Sequence, residues 1–257
     1  ADWLVANMKR IGFPHAEAVQ TAGHPIVYGE WLTAGEDCPT VLVYGHYDVQ
    51  PAEREKDGWH TNPFEPEIKD GKIYARGSTD DKGPVIAHLK AIEALVQTNG
   101  TLPVNLKVIF EGEEEVSSLH LGEFVTQYRD RLKADACLIS DTAIYSPDQP
   151  SITYALRGLV YMELHVQGPA TDLHSGGFGG TVHNPAQALA EIIAKLHHPD
   201  GAVSVPGFYA DVRPLDDAER AELAKTPWEL EAWSAGTGIT TPWGEPQFTL
   251  GERVSAR

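Results

Sequence analysis

The chain has 257 residues, 42% of them apolar, enough for one large domain or two ordinary ones with a sizeable core. Its 20 basic and 37 acidic residues leave a net charge of −17, which opposes binding to nucleic acid or to an anionic membrane. No apolar segment approaches the roughly 20 residues that span a bilayer and no signal-peptide pattern opens the chain, so a cytoplasmic location is expected. Two cysteines, Cys38 and Cys137, exclude a disulfide framework, and both are expected as buried free thiols.

Trp3, Leu4, Met8 and Ile11 recur at helical spacing and predict a helix over 1–13, with Asp2 as its cap. Residues 27–32 and 41–44 read as strands, followed by a long Gly-, Pro- and charge-rich loop over 51–79 with a short strand at 72–75. Ile86, Leu89, Ile92 and Val96 form one face of a helix over 85–97. A strand at 104–110 and a helix from Ser117 or Ser118 through Leu132 follow, the latter with Leu121, Phe124, Val125 and Tyr128 facing inward. A third strand covers 136–140. The pattern changes after Gly158, and a domain boundary is placed near Leu156, giving domains 1–156 and 157–257. Beyond it are expected a strand at 159–167, a helix opening at Asn184-Pro185, a short strand at 203–205 and a charged helix over 216–225.

The chemistry gathers at strand ends. Val41-Leu42-Val43-Tyr44-Gly45 runs into His46, Tyr47 and Asp48. Leu106-Lys107-Val108-Ile109-Phe110 runs into Glu111-Gly112-Glu113-Glu114-Glu115, and Ala136-Cys137-Leu138-Ile139-Ser140 into Asp141. Short Val- and Leu-rich runs read as strands buried on both faces of a parallel sheet, where ligands bind beyond the carboxyl ends. A run of glutamates is most often a solvated charge patch, and Asp80 or Asp81 before a helix is often only a cap. The glutamates, however, are fused to a buried strand. His46, Asp48, Asp80, Glu114, Glu115 and Asp141 together suit zinc or a similar divalent ion, with one carboxylate bridging a pair of ions and another free as general base.

Gly45-His46-Tyr47-Asp48-Val49-Gln50-Pro51, Arg76-Gly77-Ser78-Thr79-Asp80-Asp81-Lys82-Gly83, Glu114-Glu115, Ile139-Ser140-Asp141 and Asp172-Leu173-His174-Ser175-Gly176 occur in the order of one family. The chain resembles the carnosinase-like dipeptidases of the dinuclear aminoacylase and carboxypeptidase metallopeptidases. That resemblance implies an α/β catalytic domain, a mostly parallel sheet sandwiched by helices, with an inserted α+β lid that forms a homodimer. It implies two divalent ions, zinc first, with manganese or cobalt as alternatives. His46 and Asp141 would bind one ion, Asp80 would bridge, and Glu115 would bind the other. Glu114 would be the general base, Asp48 would orient His46, Asp81 would fill a variable slot, and a cis peptide would join Asp80 to Asp81. His174 would reach the partner's active site. The implied reaction is hydrolysis of a dipeptide or short peptide by a metal-activated water.

Two alternatives accompany this reading: an N-acyl-amino-acid amidohydrolase using the same site, and an inactive piece retaining only self-association through the lid. The resemblance also implies that the chain ends within the lid, before a further histidine for the second ion. His60 and His120 would be the first candidates to replace it. Otherwise His15, His24, His60, His88, His120, His165, His183, His197 and His198 are assigned to surface or packing. No Gly-x-Ser-x-Gly elbow supports a serine hydrolase, and Gly176-Gly177-Phe178-Gly179-Gly180 lacks the Lys-Ser/Thr of a phosphate loop.

Overall fold

The protein is described by a computed structural model covering residues 1–257 except 143, 147, 157, 227 and 257, and excluding the side chains of 254–256. Two compact units span residues 1–143 and 144–257. The first runs α1 (Asp2–Ile11), β1 (His15–Val19), β2 (Ile26–Trp31), β3 (Thr40–His46), β4 (Glu67–Lys69), β5 (Lys72–Tyr74), α2 (Lys82–Asn99), β6 (Asn105–Glu111), α3 (Leu121–Gln127) and β7 (Ala136–Ile139). Five strands form one sheet in the order β1-β2-β6-β3-β7, while β4 and β5 pair separately within the long loop. The sheet is mixed rather than mostly parallel, because β1/β2 and β2/β6 are antiparallel whereas β6/β3 and β3/β7 are parallel.

Alternation along β6 divides the core between the two faces of the sheet. Val108 and Phe110 join Leu4, Met8 and Ile11 of α1 and Val85, Leu89 and Ile92 of α2 in one cluster. Ile109 joins Ile26, Tyr28, Leu132 and Phe124 of α3 in the other. With helices on both faces, β6 is buried at every position. Gly29 permits the close approach of α1, since a Cβ there would stand 1.9 Å from Met8 Cε.

Several expectations are corrected. β7 is exposed along its length and Cys137 with it, because an edge strand lies outside the helical cover. The third helix starts at Leu121, not at Ser117 or Ser118, whose φ angles of 76° and 49° are left-handed and cannot open a right-handed helix. It buries Phe124 but leaves Val125 41% exposed. β1 went unpredicted because its alternating small and polar residues carry little hydrophobic signal, and its order comes from pairing with β2.

The second unit contains α4 (Ser175–Phe178), α5 (Pro185–Ala194), α6 (Asp217–Leu223), α7 (Leu230–Thr237) and α8 (Leu250–Ala256). Three of these start on side-chain caps: His174 accepts the Gly176 N–H at 3.0 Å, Asn184 the Ala186 N–H at 2.9 Å and Asp216 the Glu219 N–H at 2.8 Å. The strand expected at 159–167 is absent. Its apolar residues are exposed, Leu159 at 90% and Tyr161 at 94%, since a strand is stable only with a partner and none pairs with it among the described residues. At 203–205 only an isolated bridge forms, between His197 and Val203. Among the described residues no helix is long and apolar enough to cross a membrane.

The cover of the sheet by α2 sets a stability test. Leu89 is 1% exposed, so Leu89→Ala is expected to cost about 2–5 kcal/mol in denaturant unfolding. Leu95→Ala, at a side chain 42% exposed on the same helix, should cost well under half as much.

Candidate metal centre

Parallel register puts His46 opposite Glu111, so β3 and β6 end together at one edge of the sheet. Asp48 lies two residues past the end of β3. Glu114 and Glu115 open a 3-10 turn, Glu114–Val116, just past β6. The pairing of β3 with β7 ends at Tyr44 and Ile139, and Asp141 lies two residues further on. Asp80 and Asp81 immediately precede α2 and are joined by a cis peptide, in agreement with the expectation.

These segments converge on the fully buried His46 ring. Its Nε2 is 2.9 Å from Asp80 Oδ1 and 3.6 Å from Asp141 Oδ2, and its Nδ1 is 3.2 Å from Asp48 Oδ1. Asp48 also accepts the N–H of Glu114 at 3.3 Å and that of Glu115 at 3.0 Å, coupling the histidine to the glutamate turn. One donor atom each from His46, Glu114 and Asp141 lies within 4.8 Å of the other two.

The electrostatics follow from crowding carboxylates at a half-buried point. Burial would lower the His46 pKa, but Asp48, Asp80, Asp141 and Asp81 outweigh it and raise it. Burial pushes Glu114 up, against the pull of His46 and with the help of Asp141, Glu115 and Asp48. Asp141 is raised by burial and by Asp80. One imidazole among mutually repelling carboxylates fits a divalent cation, whose charge would relieve that repulsion.

Residues 42–249 match the family described as Peptidase family M20/M25/M40. The chain belongs to this family. Among its relatives, a Cys-Gly metallodipeptidase of Candida albicans is 40% identical over 259 residues, covering 94% of this chain and 53% of that protein. The human Beta-Ala-His dipeptidase is 44% identical over 197 residues, 76% of this chain and 38% of its own length. An M20 family metallo-carboxypeptidase from Sulfolobus solfataricus has a similar crystal structure, with a TM-score of 0.76 and 32% identity over 99% of this chain and 56% of that one. The chain thus spans between 38% and 56% of the length of these relatives.

Within this family member, the acidic run divides residue by residue. Glu111 turns into the fold, where its Oε1 accepts Tyr44 O–H at 2.6 Å and Ser118 O–H at 2.8 Å. Glu113 is held by His120 Nδ1 at 2.8 Å and by the His24 N–H at 3.1 Å. Glu115 is clamped by Gln50, whose Nε2 donates to its Oε2 and to its backbone oxygen, both at 2.9 Å, and whose N–H donates to Oε1 at 3.3 Å. No hydrogen bond to the Glu114 carboxylate occurs among the described residues.

Sequence reasoning missed Gln50, although it sits in the quoted motif, because an amide carries no metal-ligand signal. It also passed over Asp81, which is 1% exposed, accepts the His46 N–H at 3.1 Å and has its Oδ1 buried without a partner among the described residues. Burial pushes its carboxyl up to about 6. Gly45 makes room for it, since a Cβ there would stand 2.7 Å from Asp81 Oδ2.

His174 belongs to the second unit. It caps α4, its Nδ1 accepting the Gly176 N–H at 3.0 Å, which leaves the proton of the neutral ring on Nε2. His60 is exposed and His120 is engaged by Glu113, so among the described residues neither joins the cluster around His46.

Zinc added to the metal-free protein is expected to bind and to raise its thermal midpoint. Asp48→Asn should weaken that binding about 10–100-fold by loosening the His46 ring. Metal analysis after dialysis against a zinc buffer reads both effects, and wild-type zinc content in His46→Ala would remove the ion from this cluster.

Proposed function

We propose that the protein is a metal-dependent hydrolase that cleaves the amide bond of dipeptides or short peptides. The observation that carries the reading is the gathering of His46, Glu114 and Asp141 donor atoms within 4.8 Å in a chain of the M20 family. The names of its relatives, a Cys-Gly metallodipeptidase and a Beta-Ala-His dipeptidase, support a small peptide as substrate. In this proposal residues 1–156 are metal-binding catalytic domain, residues 157–257 belong to a lid, and the protein works in the cytoplasm.

A pair of divalent ions, zinc in this proposal, would supply a Lewis acid for the scissile carbonyl and lower the pKa of water when bound. His46 and Asp141 would hold the first, Glu115 would hold the second, and Asp80 would serve both. Asp48 fixes the His46 ring through Nδ1. The two adjacent glutamates divide their work by their hydrogen bonds. Both oxygens of Glu115 are anchored by Gln50, as suits a ligand of fixed direction. The Glu114 carboxylate has no hydrogen bond among the described residues and its pKa is raised, as suits a general base that takes a proton from the attacking water and delivers it to the leaving amine. His174 would act on the substrate from a partner subunit.

Glu114→Gln in the full-length protein is expected to keep the zinc content while lowering dipeptide turnover about 10²–10⁴-fold. Turnover within a few-fold of wild type would sink the assignment. Running the same assay on acetyl-amino acids alongside dipeptides tests the substrate class. The exposed apolar residues Leu159, Val160, Tyr161 and Met162 support self-association through the second unit. Sedimentation at tens of micromolar should then show a homodimer that Leu159→Asp together with Tyr161→Asp shifts to monomer.

A further inference from the structure

Resting on the metal-centre reading above, we propose that His88 is a positioning residue for Asp141 and acts through Ser140. Asp141 stands where the sheet no longer holds the chain, since the last ladder pair joins Tyr44 to Ile139. Beyond it the backbone makes a tight turn, with the Thr142 N–H bonded to the Ser140 carbonyl at 2.8 Å. Such a turn fixes its own shape but not its place relative to the rest of the fold. A side-chain tie supplies the place: Ser140 Oγ lies 2.6 Å from His88 Nε2, across 52 residues of sequence.

The other end of that tie is rigid. His88 adjoins Leu89, 1% exposed, and lies within one turn of Val85, 2% exposed, both packed against the sheet. The helix that carries His88 also begins directly after Asp80 and Asp81. One helix therefore positions Asp80 through its N-terminus and Asp141 through His88. These two carboxylates flank the same atom, His46 Nε2, at 2.9 and 3.6 Å. The His88–Ser140 bond consequently sets the opening between two candidate ligands that His46 alone would not space. Burial lowers the His88 pKa, which favours the neutral ring with one donor and one acceptor nitrogen, a match for a hydroxyl that can do either. A purely packing histidine would instead only pin the exposed edge strand β7 to α2.

Competition with a chromogenic chelator measures the zinc affinity of the protein, and thermal unfolding of the metal-free form measures the fold. His88→Ala and Ser140→Ala are each expected to weaken zinc binding about 10–100-fold. The double variant should be no weaker than the worse single one, because both remove one interaction. His88→Gln, which places an amide at similar reach, should recover most of the affinity. If wild type binds zinc and both alanine variants bind it equally well, with only their thermal midpoints lowered, His88 is a packing residue and the inference fails. Additive losses in the double variant would also overturn it. If wild type itself binds no zinc, the metal-centre reading fails first, a result distinguishable from the other two.

Discussion

The parallel register of β3 on β6 is the constraint on which the candidate site depends. It sets His46 level with Glu111 and so lets one carboxylate, Asp48, reach both the His46 ring and the N–H groups of Glu114 and Glu115. A slip of one residue would present Gly45 where His46 stands and turn every side chain of β3 to the opposite face. The register is secured by packing. β6 is buried on both faces, Val108 and Phe110 under α1 and α2, Ile109 beside Phe124 of α3, so neither strand can move without exposing core.

That scaffold concentrates like charge, and the structure manages it unevenly. Glu111 and Glu113 are satisfied by Tyr44, Ser118, His120 and the His24 N–H, and serve the fold. Asp80, Asp141 and Glu114 face one imidazole, and burial with mutual repulsion raises the pKa of the latter two. Beneath them Asp81 accepts the His46 N–H with one oxygen while the other is buried and unpartnered among the described residues. A buried carboxylate in that position costs folding free energy unless protonated or compensated, which is a feature of sites more often than of plain cores.

The two units differ in how their apolar residues are used. In residues 1–143 they fill two clusters on either side of a sheet. In residues 144–257 the run from Leu159 to Met162 is exposed, and α5 and α6 open on the side-chain caps Asn184 and Asp216. A helix start can be written into a single residue, whereas a strand needs a partner, which is why α5 and α6 begin where expected and the strand at 159–167 does not form.

What the sequence determined by itself was whatever a short window encodes. The spacing of Leu4, Met8 and Ile11, and of Ile86, Leu89 and Ile92, specified α1 and α2. The apolar runs ending in His46, in Glu114 and Glu115, and in Asp141 marked the strand ends that meet at the candidate site, and five ordered motifs specified the family. Tertiary structure alone decided the rest: the antiparallel half of the sheet, the exposure of β7 and Cys137, the sorting of the glutamate run, and the hydrogen-bond partners of Gln50, Asp81 and His88. The physical reason is range. Periodicity and capping are properties of neighbours in the chain, whereas burial and hydrogen-bond partnership belong to residues far apart in sequence that meet only once the sheet has chosen its order.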